Sequence, residues 1–182
     1  MMRPRSTLLM TALAALGPAS SLLFDIAPRL AWNASASAPT GFYRIHPGRT
    51  PRLSDMIFIT PPAPLATWMA RRHYLPPGVP LLKHVRALPG QTICRSGATV
   101  WVEGKAVARA LETDRFGRPL PVWTGCHRMR PGQIFLLNAE APDSLDSRYF
   151  GPVPSGGLIG TATPLLTWPS RIGAGAWSRA TP

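Results

Sequence analysis

The chain has 182 residues, with 18 Arg and 2 Lys against 8 acidic residues, for a net charge of +12. Its 22 prolines and 16 glycines break long helices and exclude a helical bundle, while 45% hydrophobic residues exclude a disordered chain. No basic run exceeds Arg71-Arg72-His73 and no aromatic–basic repeat accompanies it, so no nucleic-acid partner is expected.

The first element is Thr7 to Phe24, eighteen uncharged residues preceded by Arg3 and Arg5 and followed by Asp25 and Arg29. A bilayer span needs about 17–25 apolar residues. Three readings compete: an uncleaved anchor within residues 1–30, a signal peptide with the small-x-small sequence Ala34-Ser35-Ala36 as its cleavage site, and a buried core helix. Arginines before the segment favour a cytoplasmic N-terminus. Anchor and signal peptide agree in placing the rest of the chain on the outer, periplasmic side of a bacterial-type inner membrane. In that oxidising compartment Cys94 and Cys126 either form one disulfide or remain two buried thiols. Two cysteines are too few for a Cys-based zinc site, and no metal is expected. A catalytic Cys126-His127 pair is disfavoured, because adjacent side chains of an extended segment point to opposite faces.

Residues 31–40 are small and polar and read as an exposed linker or turn. Gly41 to Ile45 and Asp55 to Thr60 are expected as short strands ended by Pro and Gly. A helix is expected between Pro64 and Tyr74, with Leu65, Trp68 and Met69 on one face. Val79 to Leu88 is expected as a strand. Thr99–Val102 and Ala106–Ala108 flank Glu103-Gly104-Lys105, a hairpin signal with Gly at the turn. Gly132 to Leu137 is another strand, and Leu158 to Trp168 one or two more. Short strands at this spacing imply a mainly β fold, one twisted or coiled β domain over residues 31–170 with a loosely ordered tail over residues 171–182.

Lysine is rare here, so each one carries information. Lys105 sits at a hairpin tip and reads as a solvated turn residue. Lys83 lies on the strand row Leu81, Lys83, Val85, Ala87, a lone charge among apolar side chains. Burial lowers a lysine's pKa, and arginine does not substitute because it does not deprotonate. Two readings follow: a neutral amine acting as general base, or a packed stem whose ammonium snorkels to water. No Ser-x-x-Lys and no His-Glu-x-x-His is present, which disfavours a β-lactamase-type site and the common zinc peptidase signature. Ser35, Ser37, Ser144 and Ser147 are serine candidates which, taken singly, read as turn or capping residues.

Three ordered blocks then carry a resemblance: Asn33-Ala-Ser-Ala-Ser37-Ala-Pro39-Thr-Gly41-Phe-Tyr43, Leu81-Leu-Lys83-His-Val-Arg-Ala-Leu-Pro89-Gly90, and Asp143-Ser144-Leu-Asp146-Ser-Arg148-Tyr-Phe-Gly151. Together they resemble the signal peptidase I family of Ser-Lys membrane peptidases, most closely its TraF-type, conjugative-transfer branch, which matures pilin precursors. The resemblance implies a coiled β-sheet domain of the signal-peptidase and LexA type behind an N-terminal transmembrane helix. It implies Ser37 as nucleophile, Lys83 as general base, and Ser35 with the Ser37 backbone N–H as oxyanion donors. It also implies Ser144 as the group orienting Lys83, and Asp146 and Arg148 as a supporting ion pair. Gln91 stands where the family often has Asp, His84 where Arg is commoner, and Leu137-Asn138 replaces the usual Gly-Asp-Asn lead.

The resulting expectation is a membrane-associated serine endopeptidase that cleaves an exported precursor, a conjugative pilin, through an acyl-enzyme, with hydrolysis and cyclisation both open. Its partners would be the precursor and inner-membrane lipid; it would be monomeric, without a cofactor, and Trp68 would dip into the membrane interface. Alternatives are a general signal peptidase that removes leader peptides, a non-catalytic periplasmic assembly factor on the same fold, and a LexA-like self-cleaving regulator. The last would need a DNA-binding N-terminal domain where this chain has an apolar segment.

Overall fold

The computed structural model describes residues 27–169. The apolar segment Thr7–Phe24 and the tail over 171–182 lie outside the described residues, and within them no helix is long and apolar enough to cross a membrane.

The fold is mainly β, as expected. In chain order come β1 (Leu30–Asn33), β2 (Thr40–His46), β3 (Met56–Ile59), helix α1 (Ala63–Arg71), β4 (Leu81–Ala87) and β5 (Thr92–Ser96). They are followed by β6 (Thr99–Val102), β7 (Lys105–Arg109), β8 (Gly125–Arg128), β9 (Gln133–Leu137), helix α2 (Ser147–Phe150), β10 (Val153–Pro154) and β11 (Leu158–Trp168). A seven-stranded sheet runs β1-β2-β11-β3-β4-β9-β10, and a four-stranded sheet runs β7-β6-β5-β8. All the strand pairs are antiparallel.

Local chemistry explains the boundaries. Helix α1 opens with proline in its first turn, where a missing N–H is harmless, and His73 just past its end takes a positive φ of 57°. The β6–β7 hairpin turns on Glu103 and Gly104, both at positive φ (49° and 75°), the pairing a two-residue type I′ turn requires. The segment Leu158–Trp168 is one long strand rather than two. It pairs with β3 at its start and β2 at its end, bending at a register shift between Pro164 and Leu166. Gly41 has φ 142°, and a Cβ there would lie 2.1 Å from the Leu166 carbonyl oxygen, so this pairing needs glycine.

One expectation is corrected. The stretch over 31–40 is not simply a linker: it begins with strand β1, registered against β2 from Leu30↔Arg44 to Asn33↔Gly41, and it buries Asn33 and Ala38. Trp68 is half-buried, its ring packed against Tyr74 and Phe150 at 5.3 and 5.7 Å, with the Arg72 guanidinium over it at 4.9 Å. Trp32, Phe42 and Trp168 are exposed on the β1-β2-β11 end of the large sheet, and Phe116 is exposed in the loop between β7 and β8.

One cluster of core residues lies under the large sheet around Ile57, Ile59, Val85 and Leu136. Another joins the two sheets through Ala87, Ile93, Val100, Met129 and Phe135. Strand β4 contributes Val85 to the first and Ala87 to the second, and Lys83 precedes them on the same strand.

Candidate active site

Strand β4 holds Lys83 directly opposite Ile57 of β3 and two residues from Val85, and both neighbours are fully buried. Lys83 itself is 4% exposed. Its amine has two hydroxyl partners: Nζ donates to Ser37 Oγ at 2.9 Å and to Ser144 Oγ at 2.8 Å. Burial is the main cause that brings its pKa down from the ordinary lysine value to about 8. Asp146 and, more weakly, Asp143 oppose the fall, and Arg148 assists it. At pH 7 about a tenth of such amines are neutral, against about one in 2,500 for an unperturbed lysine.

Ser37 comes from the turn between β1 and β2, which Asn33 organises. Its Nδ2 donates to the carbonyls of Ser35, Ala38 and Pro39 at 3.1, 3.2 and 3.0 Å, and its Oδ1 accepts from the Ser35 N–H at 3.0 Å. Tyr43 donates its hydroxyl to the Pro39 carbonyl at 2.7 Å. The loop is thus held at both ends without regular structure, which leaves the half-buried Ser37 hydroxyl facing the amine. Ser35 Oγ donates to Asn33 Oδ1 at 2.7 Å and lies 3.5 Å from Ser37 Oγ.

Ser144 is carried by the loop between β9 and α2, and is buried. Asp146 caps α2, accepting from the Arg148 N–H, and its side chain pairs with the Arg148 guanidinium at 2.8 Å. Ser147, the other serine of this block, donates nothing to the amine; its Oγ accepts from the Leu136 N–H at 3.0 Å. Cys94 and Cys126 lie away from this site, joined as a disulfide across β5 and β8.

Asn138 belongs to the same constellation; the sequence marked it only within Leu137-Asn138, which replaces the usual Gly-Asp-Asn lead, and gave it no role. Its Nδ2 lies 3.4 Å from Ser37 Oγ and donates to the Leu82 carbonyl at 3.1 Å, while its Oδ1 accepts from the His84 N–H at 3.2 Å. A further signal was its place as the polar residue ending the apolar run Ile134–Leu137.

Ser37, Lys83 and Ser144 line a groove of about 720 Å³ that continues past Leu82, Tyr74 and Leu120. Its walls are mostly apolar, and Asn33, Ser35 and Asp143 border the end that holds the amine. Among the described residues no cluster of His, Cys, Asp or Glu could hold a metal ion. The structure thus brings together a serine hydroxyl, a buried amine of lowered pKa and a groove beside them.

The family model for signal peptidase, peptidase S26, matches residues 3–168, and the chain belongs to that family of serine peptidases. It is 36% identical over 148 residues to the conjugal transfer protein TraF of Agrobacterium fabrum, an alignment covering 75% of this chain and 81% of that one. It is 30% identical over 122 residues to a probable signal peptidase I-1 of Synechocystis sp., covering 66% of this chain and 55% of that one. The crystal structure of a signal peptidase I from Enterococcus faecalis V583 aligns at 22% identity with a TM-score of 0.40, covering 63% of this chain and 98% of that one.

Proposed function

We propose that the chain is a membrane-associated endopeptidase that cleaves an exported precursor, a conjugative pilin, with Ser37 as nucleophile and Lys83 as general base. The observation that carries this reading is the buried Lys83 amine, 2.9 Å from the Ser37 hydroxyl and of lowered pKa.

The steps follow from the atoms present. Neutral Lys83 Nζ accepts the Ser37 proton as Oγ attacks the scissile carbonyl carbon, forming a tetrahedral oxyanion. The Ser37 backbone N–H and the Ser35 hydroxyl, turned from Asn33, donate to that oxyanion. The Lys83 ammonium returns the proton to the leaving amine, the peptide C–N bond breaks, and the acyl group remains as an ester on Ser37. Ser144 holds the amine between these two transfers. Asp146 and Arg148 keep the Ser144 loop in place. A second nucleophile, water or an amino group of the precursor, gives a proton to Lys83 as it attacks the ester carbon; the bond to Ser37 Oγ breaks, Oγ takes that proton back from the ammonium, and the acyl group leaves as an acid or an amide.

Residues 1–30 would anchor the chain with the groove on the periplasmic side. The exposed row Trp32, Phe42 and Leu166 crosses three neighbouring strands, with Trp32 and Phe42 at 4.8 Å between ring centroids. Trp32 follows the apolar segment Thr7–Phe24 by eight residues in the chain, and an exposed apolar row so near it in sequence supports contact with lipid. A pilin substrate is supported by the similarity to a protein named for conjugal transfer. The similarity to a probable signal peptidase favours a second reading, removal of leader peptides from many exported proteins.

The test is co-expression with a candidate pilin precursor and mass spectrometry of the product, with wild type and Ser37→Ala at matched membrane abundance. Trimming by wild type alone is expected, and the product mass separates a linear from a cyclised chain. Equal trimming by both removes Ser37 as the nucleophile and moves a non-catalytic assembly role forward.

A further inference from the structure

A second groove, of about 640 Å³, opens beside the four-stranded sheet and shares no lining residue with the groove at Ser37. Its lining carries His127, Arg128 and Arg130 and no Asp or Glu. Its aromatic walls are Trp123 and Phe150, both half-buried.

One side of this groove is strand β8. It ends the small sheet, pairs only with β5, and exposes all four of its residues. The direction of its main-chain groups follows from the register. Cys126 stands directly opposite Cys94 with their Cα atoms 4.0 Å apart, the close spacing of a non-hydrogen-bonded antiparallel pair. In such a pair each residue turns its N–H and C=O away from the partner strand. Cys126 therefore offers both groups to the free edge, and so does Arg128 two residues on. Both line the groove, and among the described residues no hydrogen bond from outside the sheet occupies either main chain.

We infer that this groove binds an extended, acidic peptide segment of a partner protein, which adds as a strand to β8. The edge supplies donors and acceptors at the two-residue repeat that only another extended main chain matches along its length. Carboxylates on alternate residues of the incoming strand would meet Arg128 and Arg130, and the intervening apolar side chains would meet Trp123 and Phe150. A phosphate group would satisfy the arginines but leave the main chain of Cys126 and Arg128 unpaired. Residues 170–182 bring Arg171 and Arg179 and no acidic residue, and residues 1–26 bring Arg3 and Arg5 against Asp25, so charge directs the site to a different chain. This inference does not depend on the chemistry assigned to Ser37 and Lys83.

The test uses the full chain in detergent micelles and a fluorescein-labelled decapeptide of alternating Glu and Val, read by anisotropy. Saturable binding is expected, weakened about tenfold or more by Arg128→Glu with Arg130→Glu, and by replacing Glu with Lys in the peptide. N-methylation of alternate peptide amides should abolish it, because it removes the donors that pair with the edge. Arg128→Gln with Arg130→Gln, checked for native circular dichroism, separates charge loss from misfolding. Four results would each overturn the inference: no saturable binding up to about 1 mM, equal binding of the N-methylated peptide, equal binding by the folded double variant, and displacement by short-chain phosphatidylglycerol. Binding that appears only after deletion of residues 170–182 would make the chain's own tail the occupant, and would equally overturn it.

Discussion

Arg148 and Asp146 are joined by two hydrogen bonds, Nε to Oδ1 at 2.8 Å and Nη2 to Oδ2 at 2.9 Å, and both side chains are closed off from solvent. Apart from one bond from Arg148 Nη1 to the Arg109 carbonyl at 3.3 Å, the further side-chain bonds of the pair fall on the same loop. Arg148 donates to the Asn138 and Pro142 carbonyls at 2.9 and 3.0 Å, and Asp146 Oδ2 accepts from the Asn138 N–H at 3.0 Å. The pair therefore ties both ends of the segment that presents Ser144. Removing one partner leaves a buried charge uncompensated. Asp146→Ala is expected to destabilise the fold by about 3–5 kcal/mol in urea titrations. Adding Arg148→Met should recover part of that loss, since an apolar pair carries no unpaired charge; strictly additive losses would contradict the coupling.

With Lys83 as the base, kcat/KM should rise with pH through a midpoint of about 8 and fall tenfold per unit well below it. The sign follows from burial: the folded site favours the neutral amine, so the active form accumulates as pH rises through the depressed value. Asp143 holds the proton on, so Asp143→Asn should move the midpoint down and raise activity at pH 7. Lys83→Arg should be inactive at every pH, because guanidinium does not deprotonate. A profile flat from pH 6 to 9 would remove Lys83 from the proton transfer.

Much of this arrangement was legible in the sequence, for reasons that differ by residue. Lys83 stood out because it interrupts a period-two apolar row, and that row proves to be the buried face of β4. The buried strands β3 and β9 were legible as apolar runs between turn residues. Strand β8 was not: all four of its residues are exposed, so no alternation marks it, and it forms because its backbone pairs with β5. Strand β1 was hidden by the small residues that follow it. No periodicity marks Ser37; only its place in an ordered set of motifs did. Asn138 reaches Ser37 from 101 residues away, a contact that local pattern does not encode.

Ser144 lies 2.8 Å from Lys83 Nζ and accepts from it. In the proposed mechanism it is a positioning residue, since it touches the base and not the scissile bond. A hydrogen bond to a charged group contributes about 1.5–3 kcal/mol, so Ser144→Ala should lower kcat roughly ten- to a hundredfold with little change in KM. Loss of an acceptor also disfavours the ammonium, and the pH midpoint should shift down; Ser144→Thr should restore part of both. A fall in activity with an unmoved midpoint would reduce Ser144 to a packing role.

Asn33 organises the loop that carries Ser37, the proposed nucleophile. Its amide nitrogen faces three carbonyl oxygens, those of Ser35, Ala38 and Pro39, and it is 5% exposed. Asn33→Ala removes those bonds and the one from the Ser35 N–H, so a loss of about 2–3 kcal/mol in thermal or urea unfolding is expected. The isosteric Asn33→Asp separates hydrogen bonding from size. At neutral pH a carboxylate has no proton to donate and would face three oxygens, so its loss should at least equal that of alanine, and acidification should relieve it as the carboxyl gains a proton. The rate at which a serine-directed acylating probe labels Ser37 should fall in both variants, because the turn that aims the hydroxyl at Lys83 is no longer held. An Asn33→Asp variant with wild-type stability and labelling would show that packing around the turn, and not this amide, sets the position of Ser37.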